Sequence, residues 1–173
     1  MKGKSPLFSN YSISSSCSNY SGSSSPLNGG SQPFQEEYSV YSKMLKKDIC
    51  HGVYNLDKGG YSVNPTSKAL NDMINGDYII EKGVTASLPY VIDASGNIIV
   101  GKRNGNGRYG VQTPHPTLIG GLDPKVKMAG MLHIKNGKIA SYDDRSGHYR
   151  PNKESMKYAD IAFKKFEKYM EGK

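Results

Sequence analysis

Residues 126–143 read VKMAGMLHIKNGKIASYD. Asn136-Gly137 lies between two apolar runs, and this dipeptide is the strongest short-range signal for a β-hairpin, because a type I′ turn needs positive φ at both central residues. Before the turn, Val126, Met128, Gly130, Leu132 and Ile134 alternate with Lys127, Ala129, Met131, His133 and Lys135, the period of a strand with one apolar face. A two-residue turn pairs Lys135 with Lys138 and Ile134 with Ile139, and sets His133 opposite Ala140. His133, in strict alternation mid-strand, reads as a surface or packing residue. The return strand runs from Lys138 to about Asp143.

Upstream of this hairpin the chain offers more short β-rich runs. Pro89–Ile92 and Asn97–Gly101 flank the turn Asp93-Ala94-Ser95-Gly96, Tyr78–Glu81 is a further candidate, and Thr117–Ile119 sits between Pro116 and Gly120-Gly121. Three helices complete the pattern. Phe34, Tyr38, Tyr41, Leu45 and Ile49 recur at helical spacing over 35–49, with Glu36 and Glu37 in a first turn that favours acids. Asn64 caps a second helix, with Pro65 at its first position, Ala69, Leu70, Met73 and Ile74 on its apolar face and Gly76 at its end. Asn152 caps a third over 152–170, whose stripe Met156, Ala159, Phe163, Phe166 and Met170 docks on the sheet. Lys164, Lys165 and Lys168 form its solvated side. The predicted fold is α+β: two N-terminal helices, an antiparallel meander of about five strands and a C-terminal covering helix.

The chain has 173 residues, 36% of them hydrophobic, with 23 Lys+Arg against 15 Asp+Glu and a net charge of +8. Its mean hydropathy is −0.61 and its pI about 9.3. No apolar run approaches the roughly 20 residues of a membrane span, so membrane insertion is not expected. Two cysteines make no disulfide scaffold, and Cys17 and Cys50 are expected as free thiols. The histidines and cysteines show no zinc-ligand spacing, so no metal is expected. The positive charge suits an anionic partner, or serves solubility alone.

Residues 1–34 hold 12 serines and no acid; the first is Glu36. Such a stretch buries too little apolar surface to offset its ordering entropy and is predicted to be a disordered Ser-rich leader, with a single catalytic domain over 35–173. It lacks the apolar core and cleavage site of a Sec signal peptide. It reads either as a plain tail or as a non-cleaved export leader of the kind that precedes bacterial secretion-system effectors.

Three segments between 101 and 151 exceed what packing requires. Gly101–Gly110 is a glycine-rich cationic loop carrying Lys102, Arg103 and Arg108, suited to phosphate. It is neither a Walker A loop nor a dinucleotide fingerprint, since no Gly-Lys-Ser/Thr follows and no βαβ unit surrounds it. As a plain hairpin loop it needs no function. In the second segment His115 stands between Pro114 and Pro116, which predicts an extended backbone at a strand entrance, with Thr117 close behind. The third, Arg145-Ser146-Gly147-His148-Tyr149-Arg150-Pro151, gathers an imidazole, a phenol, a hydroxyl and two guanidiniums in one connection, where function concentrates.

Two reactions fit this inventory. RNA cleavage by transesterification needs a base, an acid and cations, which His115, His148, Arg145 and Arg150 supply. ADP-ribosyl transfer from NAD needs an anchor for the dinucleotide, a hydroxyl, an aromatic and usually a Glu. His115, Thr117, His148 and Tyr149 serve as the catalytic set in that reading, and Arg103, Arg108, Arg145, Ser146 and Arg150 as the NAD-binding set. The later glutamates, Glu154, Glu167 and Glu171, all fall in the terminal helix, so this reading lacks its usual Glu. A basic binding module without catalysis is the third reading.

The runs Tyr90-Val91-Ile92-Asp93, Gly96–Gly101, His115-Pro116-Thr117-Leu118, Ala129-Gly130 and Ser146-Gly147-His148-Tyr149-Arg150-Pro151 together resemble toxin domains of secreted bacterial effectors and of rearrangement-hotspot (Rhs) polymorphic toxins. The resemblance spans about 78–165, and Ser-Gly-His-Tyr-x-Pro is its most specific piece. In the family pattern His-Ser-Ser often stands where this chain has His-Pro-Thr, and Glu follows Ala-Gly where this chain has Met131. A catalytic Glu there would be replaced by another acid, such as Asp143 or Asp144. The resemblance implies a host-modifying or competitor-directed toxin, secreted without a Sec signal and acting in the target-cell cytoplasm. A target macromolecule is the implied partner, with a cognate immunity protein or secretion chaperone beside it, and the chain is expected to be a monomer.

Overall fold

The hairpin forms where Asn136-Gly137 places it, with φ of 51° at Asn136 and 79° at Gly137. The computed structural model describes residues 30–103 and 113–172. In it, β8 (Met128–Lys135) and β9 (Lys138–Tyr142) pair Lys135 with Lys138 and Ile134 with Ile139 as expected. The register then shifts between His133 and Ile134, so His133 faces Ser141 rather than Ala140. Ala140 is the extra residue of a bulge, and every later residue of β9 moves by one position, which reverses the side its side chain takes.

On its other edge β8 pairs antiparallel with β6 (Ala86–Ile92), which pairs in turn with β7 (Ile98–Val100). The turn between them is the predicted one, with Asp93 Oδ1 accepting the Ser95 and Asn97 amides at 2.9 Å. A two-residue strand, β3 (Lys68–Ala69), completes a five-stranded antiparallel sheet in the order β3-β7-β6-β8-β9. The mixed architecture of an antiparallel sheet with helices is therefore as expected, but the sheet is not the predicted meander, since β6 lies between β7 and β8 and pairs with both, and the helices differ.

The first helix, α1, spans Ser42–Cys50 only. Residues 35–41 do not join it because Tyr38 is held by a β-bridge: its amide donates to Val126 O at 2.7 Å, and the Val126 amide donates back at 3.1 Å. Glu36 and Glu37 therefore lie outside a first helical turn. The expected second helix is absent. Asn64 does cap, accepting the Thr66 amide at 2.8 Å, but Lys68 and Ala69 pair with Val100 and Ile99, and Leu70–Met73 makes a single 3₁₀ turn. Gly76 then lies in the turn between β4 (Ile74–Asn75) and β5 (Tyr78–Ile79) instead of ending a helix. A further small hairpin, β1 (Tyr54–Asn55) with β2 (Gly60–Tyr61), precedes these. The predicted strand Thr117–Ile119 is a 3₁₀ turn over His115–Leu118, closed by the Thr117 amide on Pro114 O at 2.9 Å. The terminal helix, α2, is confined to Met156–Lys164, with 3₁₀ turns at Lys153–Ser155 and Glu167–Tyr169.

The apolar stripe of α2 docks as read from the sequence. Ala159, Phe163 and Phe166 of the predicted stripe, joined by Ala162, pack with Leu88, Tyr90 and Ile92 of β6 and Met128, Leu132 and Ile134 of β8 in the main core, and Met156 and Met170 are partly buried against it. The second face of the sheet is covered too. Val91 and Ala129 pack there with Tyr38, Leu118, Val126 and Tyr149. Val126 thus joins the opposite cluster from Met128, because it precedes the strand and is paired to Tyr38.

Residues 30–34 belong to the folded body, whereas composition assigns them to the leader. The Gln32 amide donates to Arg150 O at 2.8 Å, the Asn152 side chain donates to Gln32 O at 3.1 Å, and Phe34 stacks on Tyr158. Residues 1–29, with Cys17 and most of the predicted leader, lie outside the described residues. Cys50 is a buried free thiol. Among the described residues no helix is long and apolar enough to cross a membrane.

One close approach fixes how the chain leaves the sheet. A Cβ placed on Gly130 would lie 1.9 Å from Asp143 O, so backbone passes against β8 where only glycine fits. Gly130→Ala is expected to cost about 2 kcal/mol or more. Gly147→Ala, where nothing lies within 4 Å of the new methyl, should stay within about 0.5 kcal/mol of the parent. Urea unfolding midpoints of the two variants provide the comparison.

Candidate active-site cleft

After Asp143 the chain runs as a connection to Asn152, and that connection forms one wall of a cleft of about 710 Å3. Asp144, Arg145, Ser146, Gly147, His148 and Arg150 line it, facing Met44 and Lys47 of α1, Pro89 of β6, and Arg103, Thr113 and His115. Thr113 fastens the base of the cationic loop beside it: its amide and hydroxyl both reach Arg103 O at 2.7 Å. Residues 104–112, which include Arg108, lie outside the described residues.

His115 is 7% exposed. Its Nε2 lies 2.8 Å from Gly130 O and its Nδ1 3.2 Å from Ser146 Oγ. A carbonyl only accepts, so Nε2 carries the hydrogen and the Ser146 hydroxyl donates to Nδ1. Burial pushes the imidazole pKa down to about 4, more than the Gly130 bond raises it, and His148 and Arg103 nearby lower it further.

His148 is held differently. Its Nε2 lies 2.9 Å from Asp48 Oδ2, and the same oxygen accepts the Tyr61 hydroxyl. The Asp48 side chain is 7% exposed and that of His148 14%. An ionised carboxylate only accepts, so Nε2–H donates and, in the neutral ring, Nδ1 carries the lone pair. No hydrogen bond to Nδ1 forms among the described residues. Burial, and then Asp48, hold the Tyr61 phenol protonated far above the usual tyrosine range.

The cleft therefore gathers His115, His148, Ser146 and three of the predicted arginines. Arg150, at a φ of 44°, lays its guanidinium over the Tyr41 ring at 4.3 Å. Two predicted catalytic residues are not brought to the cleft. Thr117 is buried and donates its hydroxyl to Pro114 O at 2.6 Å, closing the 3₁₀ turn. Tyr149 is fully buried, donates to Pro124 O, and is kept protonated above its usual range by burial. Both hold the wall in place.

Asp48 and Lys47 were not legible as site residues. The helical reading placed Ile49 on the buried face of α1, but Ile49 is 49% exposed while Asp48 is 5% exposed. The partners that draw Asp48 inward, Tyr61 and His148, are 13 and 100 residues away. Only its place one helical turn beyond Met44 and Leu45 hints at that face.

The buried His115 makes stability depend on pH. It binds a proton near 6.5 in the unfolded chain and near 4 in the folded one, so the unfolded state holds more protons between these values and stability falls as pH falls from about 6.5 to about 4. The thermal midpoint is expected to drop across this window, with a flatter profile for His115→Gln. Comparison with protein-family models, with curated proteins and with solved structures finds no match to this chain.

Proposed function

We propose that this chain is an enzyme of the secreted bacterial toxin or effector class, and that its cleft takes a phosphate-bearing nucleotide for ADP-ribosyl transfer from NAD to a target macromolecule. The observation that carries this reading is the Asp48–His148 pair, which orients one imidazole at a cation-lined cleft of about 710 Å3, a size ordinary for small-molecule sites. Lys47, Arg103 and Arg145 present the charge that a pyrophosphate requires, and guanidinium groups bind it in bidentate fashion. When bound, NAD would supply an ADP-ribosyl group whose bond to nicotinamide breaks as the acceptor attacks, with nicotinamide leaving. His148 Nδ1 takes the proton of the acceptor, and Asp48 steadies the imidazolium that forms. Asp144, at the cleft wall and 3.8 Å from Lys153, is the carboxylate placed to orient the acceptor in the absence of a cleft Glu. The target, in the recipient cytoplasm, and an immunity protein or secretion chaperone are the partners this reading implies.

RNA cleavage is the second reading, favoured by the same base beside arginines. Both ring nitrogens of His115 are engaged, so in that reaction His148 would act as the base and His115 would not serve as the acid.

Incubation of the protein with labelled NAD and cell lysate is expected to transfer label to a macromolecule. His148→Ala and Asp48→Asn should reduce the rate by about 100-fold or more, while Tyr149→Phe, outside the cleft, keeps activity in proportion to its folded fraction. RNA degraded without NAD or added metal would replace transfer by the nuclease reading. Unlabelled lysate with intact RNA would leave a binding module.

A further inference from the structure

We infer that Ser87, His133 and Asp143 form a second reactive centre, outside the cleft, in which Ser87 is an activated hydroxyl that accepts an acyl group from an activated carboxylic ester. None of the three lines the cleft. Ser87 of β6 and His133 of β8 are direct partners across the sheet, so their side chains stand on one face. Ser87 Oγ lies 2.9 Å from His133 Nδ1, and His133 Nε2 lies 3.0 Å from Asp143 Oδ2.

The direction of the relay follows from its carboxylate end. Burial raises the Asp143 carboxyl, but the Arg145 amide, the His133 ring and the Met131 amide outweigh it and hold it below the usual carboxylate range. Its Oδ1 accepts the Met131 amide at 2.8 Å and the Arg145 amide at 2.9 Å, which fixes the group and keeps it ionised. An ionised carboxylate cannot donate, so Nε2–H of His133 does. In the neutral ring Nδ1 is then an acceptor, and the Ser87 hydroxyl points its proton at it. Hydroxyl, imidazole and carboxylate share the connectivity that activates a serine nucleophile.

The bulge at Ala140 is what makes this possible. Without it, Asp143 would fall opposite Gly130 and turn its side chain to the main core. The one-residue shift puts Asp143 opposite Met131, where its amide donates to Met131 O at 3.0 Å, and its carboxylate joins the face of His133. Bulges of this kind re-aim a side chain. The relay is also open to reagent, since Ser87 is exposed and the side chains of His133 and Asp143 are 38% and 28% exposed.

In the step proposed, Ser87 Oγ bonds to the carbonyl carbon and its proton passes to His133 Nδ1. The ester C–O bond then breaks, and the departing oxygen takes that proton, giving acyl-Ser87 and a free alcohol or phenol. The test treats the full chain with p-nitrophenyl acetate and maps acetylated residues by mass spectrometry. Acetyl-Ser87 should form at least about 100-fold faster than acetyl-Ser62 or acetyl-Ser95, two exposed serines outside the relay. His133→Gln should lower acetyl-Ser87 to the rate of those internal controls, at an unchanged melting temperature, and His148→Ala should leave it intact. Acetylation of Ser87 no faster than of Ser62 and Ser95, which needs no variant to observe, overturns the proposal, as does a rate indifferent to His133→Gln.

Discussion

The missing side chain at Gly130 is the constraint on which the sheet and both candidate sites depend. Asp143 O passes where a Cβ would stand, and the Tyr90 hydroxyl, from the neighbouring strand, donates to that same oxygen at 2.8 Å. Gly130 O accepts the His115 ring at 2.8 Å. One backbone position in β8 thus sets where the chain leaves β9, which tautomer His115 adopts and which way the Ser146 hydroxyl points. Close packing transmits such a constraint because the interior has no slack to absorb a methyl group.

Burial of charge is the second organising feature. The chain carries a net +8, yet one of its most buried charged groups is an acid, Asp48. Taking a carboxylate out of water is costly unless donors replace the lost hydration. Tyr61 and His148 supply them, and in doing so they join α1, the β1–β2 hairpin and the 144–151 connection at one point. His115 meets the same requirement by staying neutral between a carbonyl and a hydroxyl. Two histidines in one cleft are thereby given different roles: one is fully engaged and uncharged, the other is anchored at one nitrogen only.

The hairpin, the Asp93 turn and the apolar stripe of α2 were readable because each is a local pattern. The turn dipeptide, an Asx turn and a three–four spacing each report on residues within a few positions of one another. The helices read at 35–49 and after Asn64 failed for the opposite reason. Tyr38 and Lys68–Ala69 satisfy their backbone groups against Val126 and β7, partners that no window of neighbouring residues contains, and such pairing overrides weak helical preference. His115, His148, Ser146 and the arginines were legible as unusual clusters in connections. Thr117 and Tyr149 were drawn in with them because a buried hydroxyl with a structural partner looks the same in sequence as one facing a cleft.

The sequence was therefore sufficient for the two antiparallel turns at Asp93 and Asn136-Gly137, for a covering helix and for a basic, histidine-bearing stretch between 101 and 151, but not for the order of the strands. These follow from side-chain period, turn stereochemistry and charge, which are properties of adjacent residues. The hold of Asp48 on His148, and the burial that keeps His115 neutral while Gly130 O sets its tautomer, exist only in the folded chain. The single bulge in β9, which sets Asp143 beside His133 and Ser87, was likewise invisible in the sequence. Each of these depends on a hydrogen bond or a register shift between distant segments, and that geometry exists only once the sheet has brought them together.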